Sequence, residues 1–150
     1  MYRVLFLLLI TLLYLPLANA DNGLITAKSP YTVDETLDRF EAAVTRKGMT
    51  IFTRIDHAAG AAKVGKQLRP TVVLVFGNPA IGSLLMQSKQ TVAIDLPLKL
   101  LVWEDDSGQV WITYNDPDYL VKRHAITDRA PVVEKMRKAM SDLTAAAIAK

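Results

Sequence analysis

The chain has 150 residues, a formal net charge of +3 and no cysteine. Without thiols it has no disulfide framework, redox dithiol, thiolate metal site or lipid-attachment cysteine. Its basic residues are dispersed in runs no longer than two, as at Arg46-Lys47 and Lys122-Arg123, so the basic stripe of a nucleic-acid-binding face is missing.

Residues 1–20 read as an export signal. Met1-Tyr2-Arg3 carries one positive charge, Val4 to Leu17 is almost wholly apolar, and Ala18-Asn19-Ala20 has the small-x-small pattern of a signal-peptidase site. The apolar run is shorter than the roughly 20 residues of a spanning helix, and it contains Pro16. Cleavage is expected after Ala20, giving a periplasmic or secreted protein with no stable membrane anchor. Loss of Arg3 leaves 17 basic against 15 acidic residues. The remaining 130 residues, 21–150, are expected to form one domain with its own core.

Leu24 to Ala27 can form a first strand. Thr32 and Glu35 then have capping-box spacing, and Val33, Leu37, Phe40 and Val44 recur at helical intervals. Gly48 suits the left-handed position that ends a helix. Thr50 to Ile55 alternates like a strand. Asp56 suits an N-cap, and an Ala-rich helix follows from His57 to about Gly65. The β-branched run Thr71 to Phe76 predicts a central strand buried on both faces. Gly77-Asn78-Pro79 breaks it, with Asn78 as cap and Pro79 as first residue of a helix reaching about Gln87.

Thr91 to Asp95 reads as another strand, interrupted by Pro97 at a bulge or edge and continued from Lys99 to Glu104. Asp105-Asp106-Ser107-Gly108 predicts a turn, and Val110 to Tyr114 returns as a hairpin strand. Pro117 to His124 suits a short helix. From Pro131 onward, Val133, Met136, Met140, Leu143 and Ala147 form one apolar stripe. The predicted order β-α-β-α-β-α-β-β-α-α is an α+β fold, with helices packed on a mixed sheet that ends in an antiparallel hairpin.

Several segments, in order, carry a family resemblance: Thr36-Leu37, Gly48 to His57, Leu68-Arg69-Pro70-Thr71, Phe76-Gly77-Asn78-Pro79, Ile94-Asp95-Leu96-Pro97 and Trp111 to Asn115. So spaced, they resemble the bacterial family known as domain of unknown function number 302, over about residues 28–120. The resemblance implies a compact α+β domain, often a homodimer, and no established reaction.

Two strand-to-helix junctions are candidate sites. At Asp56-His57, a helix N-terminus offers unpaired N–H groups, and His57 could act as acid, base or ligand. A helix cap alone explains Asp56 equally well. At Gly77-Asn78, the glycine permits close approach to the backbone, and the helix start could hold an anion; a capped turn explains the same residues. Parallel, adjacent strands would open both loops at one sheet edge. Asp95 would then join Asp56, His57, Gly77 and Asn78 around a ligand, with Tyr114 and Asn115 nearby. His124, in a basic run near a helix end, reads as a solvated surface residue.

No HExxH, GxSxG, GxGxxG or CxxC motif occurs. No metal site or cofactor is therefore assigned. The expected function is a non-enzymatic module that binds a small molecule or a partner. The alternative is an acid–base or metal-assisted enzyme built on His57 and a carboxylate.

Overall fold

The computed structural model describes residues 22–150. The leader read at residues 1–20 and its cleavage point lie outside the described residues. The fold is α+β: β1 (Leu24–Ser29), α1 (Val33–Arg46), β2 (Thr50–Asp56), α2 (His57–Lys63), β3 (Thr71–Gly77), α3 (Pro79–Ser88), a 3-10 helix (Gln90–Ile94), β4 (Leu98–Glu104), β5 (Val110–Asn115), α4 (Pro117–Arg123) and α5 (Ala130–Ile148).

Local chemistry sets most of the boundaries. The Thr32 hydroxyl accepts from the Glu35 N–H at 3.2 Å and opens α1. After α1, Gly48 takes φ +66°, a conformation that costs glycine little and other residues more. Asp56 opens α2 by accepting from Ala59 N–H at 2.8 Å. Asn78 opens α3 by accepting from Ala80 N–H at 3.0 Å, with Pro79 at the first helical position, where no N–H is needed.

The five strands lie in the order β1-β5-β4-β3-β2, and every neighbouring pair is antiparallel. This corrects the mixed sheet expected from the sequence. The βαβ-like alternation of the first half suggested parallel pairing. Yet α2 returns the chain beside β2 in the opposite sense, with Thr50 opposite Gly77 and Asp56 opposite Val72.

One face of the sheet is the core. Val72, Leu74, Phe76, Leu100, Val102 and Ile112 meet Leu37, Phe40 and Val44 of α1 and Met140, Leu143 and Ala147 of α5. Phe40 and Phe76 pack edge to face, with ring centroids 5.2 Å apart. β3 is therefore buried on its helix-facing side only, because Thr71, Val73 and Val75 on the other side are half-buried. That corrects the expectation of a strand enclosed on both faces.

A smaller apolar cluster joins Leu85 of α3, Val92 of the 3-10 helix, Ile126, and Val133 and Met136 of α5. Val92 belongs to a segment expected as a strand. Gln90–Ile94 instead forms the 3-10 helix, and only Val92 within it is fully enclosed. Pro97 precedes β4 and neither interrupts a strand nor marks an edge, since β4 lies between β5 and β3.

Candidate functional site

A hollow of about 570 Å³ opens where the two apolar clusters meet. Its walls come from five places. Met49 and Phe52 flank the start of β2, and Gly77-Asn78 ends β3. Ile81, Gly82 and Met86 lie along α3, and Ala93, Leu96, Pro97 and Leu98 lead into β4. Met136 and Ala139 of α5 complete it.

Sequence accounts for this space. A register shift between Ile51 and Thr53 makes Phe52 a bulge residue, and its side chain is half exposed at 50%. Bulges re-aim side chains out of the regular alternation. Gly77 and Gly82 keep the walls thin. A Cβ on Gly77 would lie 3.5 Å from the Pro97 side chain, and one on Gly82 3.6 Å from Leu96.

Among the described residues, the charged ones lining the hollow are Lys47 and Lys135. Lys47 Nζ donates to Asp142 Oδ2 at 3.0 Å. Together, Lys47 and Lys138 hold the Asp142 carboxyl below the usual carboxylate range. The Lys135 side chain has no hydrogen bond or ion pair among the described residues. The Asn78 carbonyl oxygen is committed to the α3 cap.

The five residues proposed from the sequence divide into three groups. Gly77 and Asn78 line the hollow. Asp56 and His57 do not: antiparallel pairing places them at the opposite end of the sheet, five register positions from Gly77, or roughly 17 Å. The single shared pocket therefore does not form, because its parallel-strand premise is absent. Asp56 serves as the α2 cap. His57 is exposed and shares no hydrogen bond or ion pair with a carboxylate among the described residues. The acid–base reading of His57 thus lacks the partner it requires.

Asp95 lies just behind the hollow wall and is engaged elsewhere. His124 Nε2 approaches Asp95 Oδ2 at 2.6 Å, and the two side chains are only 8% and 13% exposed. Thr91 Oγ1 lies 3.3 Å from the other ring nitrogen, and Arg123 reaches Asp95 Oδ1 at 3.7 Å. The reading of His124 as a solvated surface residue is therefore overturned. Its basic neighbours suggested exposure, but the chain end of α4 folds back on the 3-10 helix. Nothing local signals a contact 29 residues apart. Tyr114 faces the helix-covered core and Asn115 pairs with Leu24 on β1; neither lines the hollow.

Among the described residues no cluster of three or more His, Cys, Asp or Glu could hold a metal ion, and no helix is long and apolar enough to cross a membrane. Chemically, the hollow suits an apolar body with a polar end near the lysines. Apolar walls with few polar groups are the usual makeup of small-molecule sites.

Comparison with known proteins gives three kinds of match. The sequence pattern of a domain of unknown function, DUF302, fits residues 25–143. The chain is 48% identical over 114 residues to the fluoride-specific ion channel FluC 1 of Brucella suis, covering 75% of this chain and 45% of that protein. It is equally similar to FluC 2 of Brucella melitensis, covering 42% of that protein. The chain thus spans less than half the length of the curated relatives it matches. A crystal structure of an uncharacterized conserved DUF302 protein from Bacillus stearothermophilus superposes with a TM-score of 0.73 at 21% identity, covering 82% of this chain and 96% of the other. At that identity the likeness concerns the fold.

Proposed function

Taking as premise that the chain belongs to the DUF302 family, we propose that it is an exported, non-enzymatic module that binds a small, largely apolar molecule. The carrying observation is the 570 Å³ hollow between Phe52, Gly77, Gly82, Met86, Leu96 and Met136. Its size falls within the roughly 300–1,000 Å³ typical of ligand pockets. The Asp95–His124 pair supports this reading as a buttress, since it ties the 3-10 helix to α4 immediately behind the wall.

The test uses decanol as an apolar probe and Gly82→Phe as a blocking variant. Decanol should raise the melting temperature of the unaltered protein. The variant, whose new ring would enter the space beside Leu96 and Met86, should show no shift. An equal shift in both proteins would remove the hollow as the binding site. Export is tested by N-terminal sequencing of protein made with its leader; a mature chain beginning at Asp21 is expected.

We carry the homodimer as part of this proposal. β2 is an edge strand, and Phe52, Ile55, Val64 and Leu68 leave apolar surface exposed on it and in the segment after α2. Light scattering on the purified domain should give twice the monomer mass.

The curated relatives favour a second reading, in which the domain is a companion module of a fluoride channel. Deleting the matched segment from the Brucella suis protein should then lower fluoride resistance. Unchanged resistance removes that reading.

A further inference from the structure

We infer that the occupant of the hollow is an amphipathic anion, an alkyl carboxylate in its simplest form, with its tail inside and its charged end held by Lys135. This rests on the hollow-binding reading above and specifies the ligand.

Charge complementarity selects the anion. Among the described residues no acidic one lines the hollow, whereas two lysines do. Lys47 is neutralised by Asp142. Lys135 is different. Its neighbours one turn away on α5 are Pro131, Val132, Lys138 and Ala139, so no carboxylate can reach it at helical spacing. It also lacks an ion pair across the fold, among the described residues. The nearby acids are engaged elsewhere: Glu134 with Arg137, and Asp142 with Lys47 and Lys138.

An unpaired ammonium thus stands at the edge of an apolar cavity, next to Met136 in its wall. A lysine stem can lie along apolar surface while its head stays in water. There it can meet a carboxylate without being desolvated. Asn78, also in the lining, has spent only its carbonyl oxygen on the cap, so its amide N–H donors are free. A cationic ligand would meet Lys135 with repulsion, and a neutral one would leave it unused.

Three probes with one tail separate the alternatives: decanoate, decanol and decyltrimethylammonium, measured by titration calorimetry at low salt. Decanoate should bind about fivefold tighter than decanol, the gain of one exposed ion pair, and decyltrimethylammonium should bind weakest. Lys135→Gln should erase the decanoate advantage and leave decanol affinity unchanged. Lys135→Glu should reverse the order of the two ions. Added salt should shrink the decanoate advantage.

If decanoate and decanol bind equally, or Lys135→Gln keeps the preference, the anion inference is overturned while hollow binding stands. If none of the probes binds, or Gly82→Phe leaves binding intact, the hollow reading itself fails and takes this inference with it.

Discussion

Phe40 shows how much one side chain can decide. It is fully buried in α1 and meets Phe76 of β3 edge to face. Truncating a buried phenylalanine removes transfer energy and leaves a cavity, so Phe40→Ala should cost about 3–5 kcal/mol, measured as a lower urea midpoint. Asp105 acts in the opposite setting, on the surface. Its carboxylate accepts from the Ser107 hydroxyl at 2.7 Å, the Trp111 indole at 2.7 Å, and the backbone N–H groups of Ser107 and Gln109. Those donors, led by Ser107 and Trp111, hold its pKa well below the usual carboxylate range. Asp105→Asn should loosen the β4–β5 turn and speed hydrogen exchange at the Gly108 and Gln109 amides, with the core of α1 unaffected.

Among the elements, the 3-10 helix is the one whose form is decided by tertiary contacts. Gln90–Ile94 carries Thr, Val and Ile, which favour strands, and the sequence reads as one. The docking of Val92 against Leu85 and Val133, together with the Asp95–His124 bond, outweighs that preference. His124→Ala should therefore accelerate hydrogen exchange over residues 90–96. It should also weaken decanol binding several-fold, although His124 itself does not line the hollow. Faster exchange without any loss of binding would show that the wall does not depend on this tie. The other elements were legible because their signals are local. Thr32, Asp56 and Asn78 announced three helix starts, and the α5 stripe from Val133 to Ala147 faces inward as its spacing required. Strand direction was not legible. The chain around α2 looks the same whether β3 returns parallel or antiparallel to β2, and the pairing of Asp56 with Asn78 depended wholly on that choice. Two of the five proposed residues, Gly77 and Asn78, lie in the lining of the hollow, a placement that needed only their own turn.

At the scale of the whole molecule, exposed ion pairs and hydrogen bonds fasten α5 and the loop before it to their surroundings. Asp118 is held by Arg137, Asp128 by the Ser88 hydroxyl and then Arg129, and Asp142 by Lys47 and then Lys138; all three carboxyls lie below their ordinary range. A depressed folded pKa means that the carboxylate binds protons more readily when the chain is unfolded. The resulting stability is present above the unfolded value of about 4 and is lost as pH falls through the depressed folded values. Thermal melts followed by circular dichroism should thus be flat above pH 5 in this respect and fall on acidification below about 4. The fall should be smaller in high salt, where the pairs are already weakened. An unchanged melting temperature down to pH 2 would show that these carboxylates contribute nothing to folding.

The two tryptophans of the chain lie together on the sheet face turned away from the core helices. Trp103 and Trp111 stack at 6.4 Å between centroids, and Trp103 Nε1 donates to Thr113 Oγ1. Neither ring borders the hollow, which begins at the far end of β4, five residues and roughly 17 Å from Trp103. Nature has thereby fitted the domain with an optical probe of one side only. A guest entering between α3 and α5 should leave the indole emission spectrum dark to the event, whereas anything settling across the opposite side should shift and quench it.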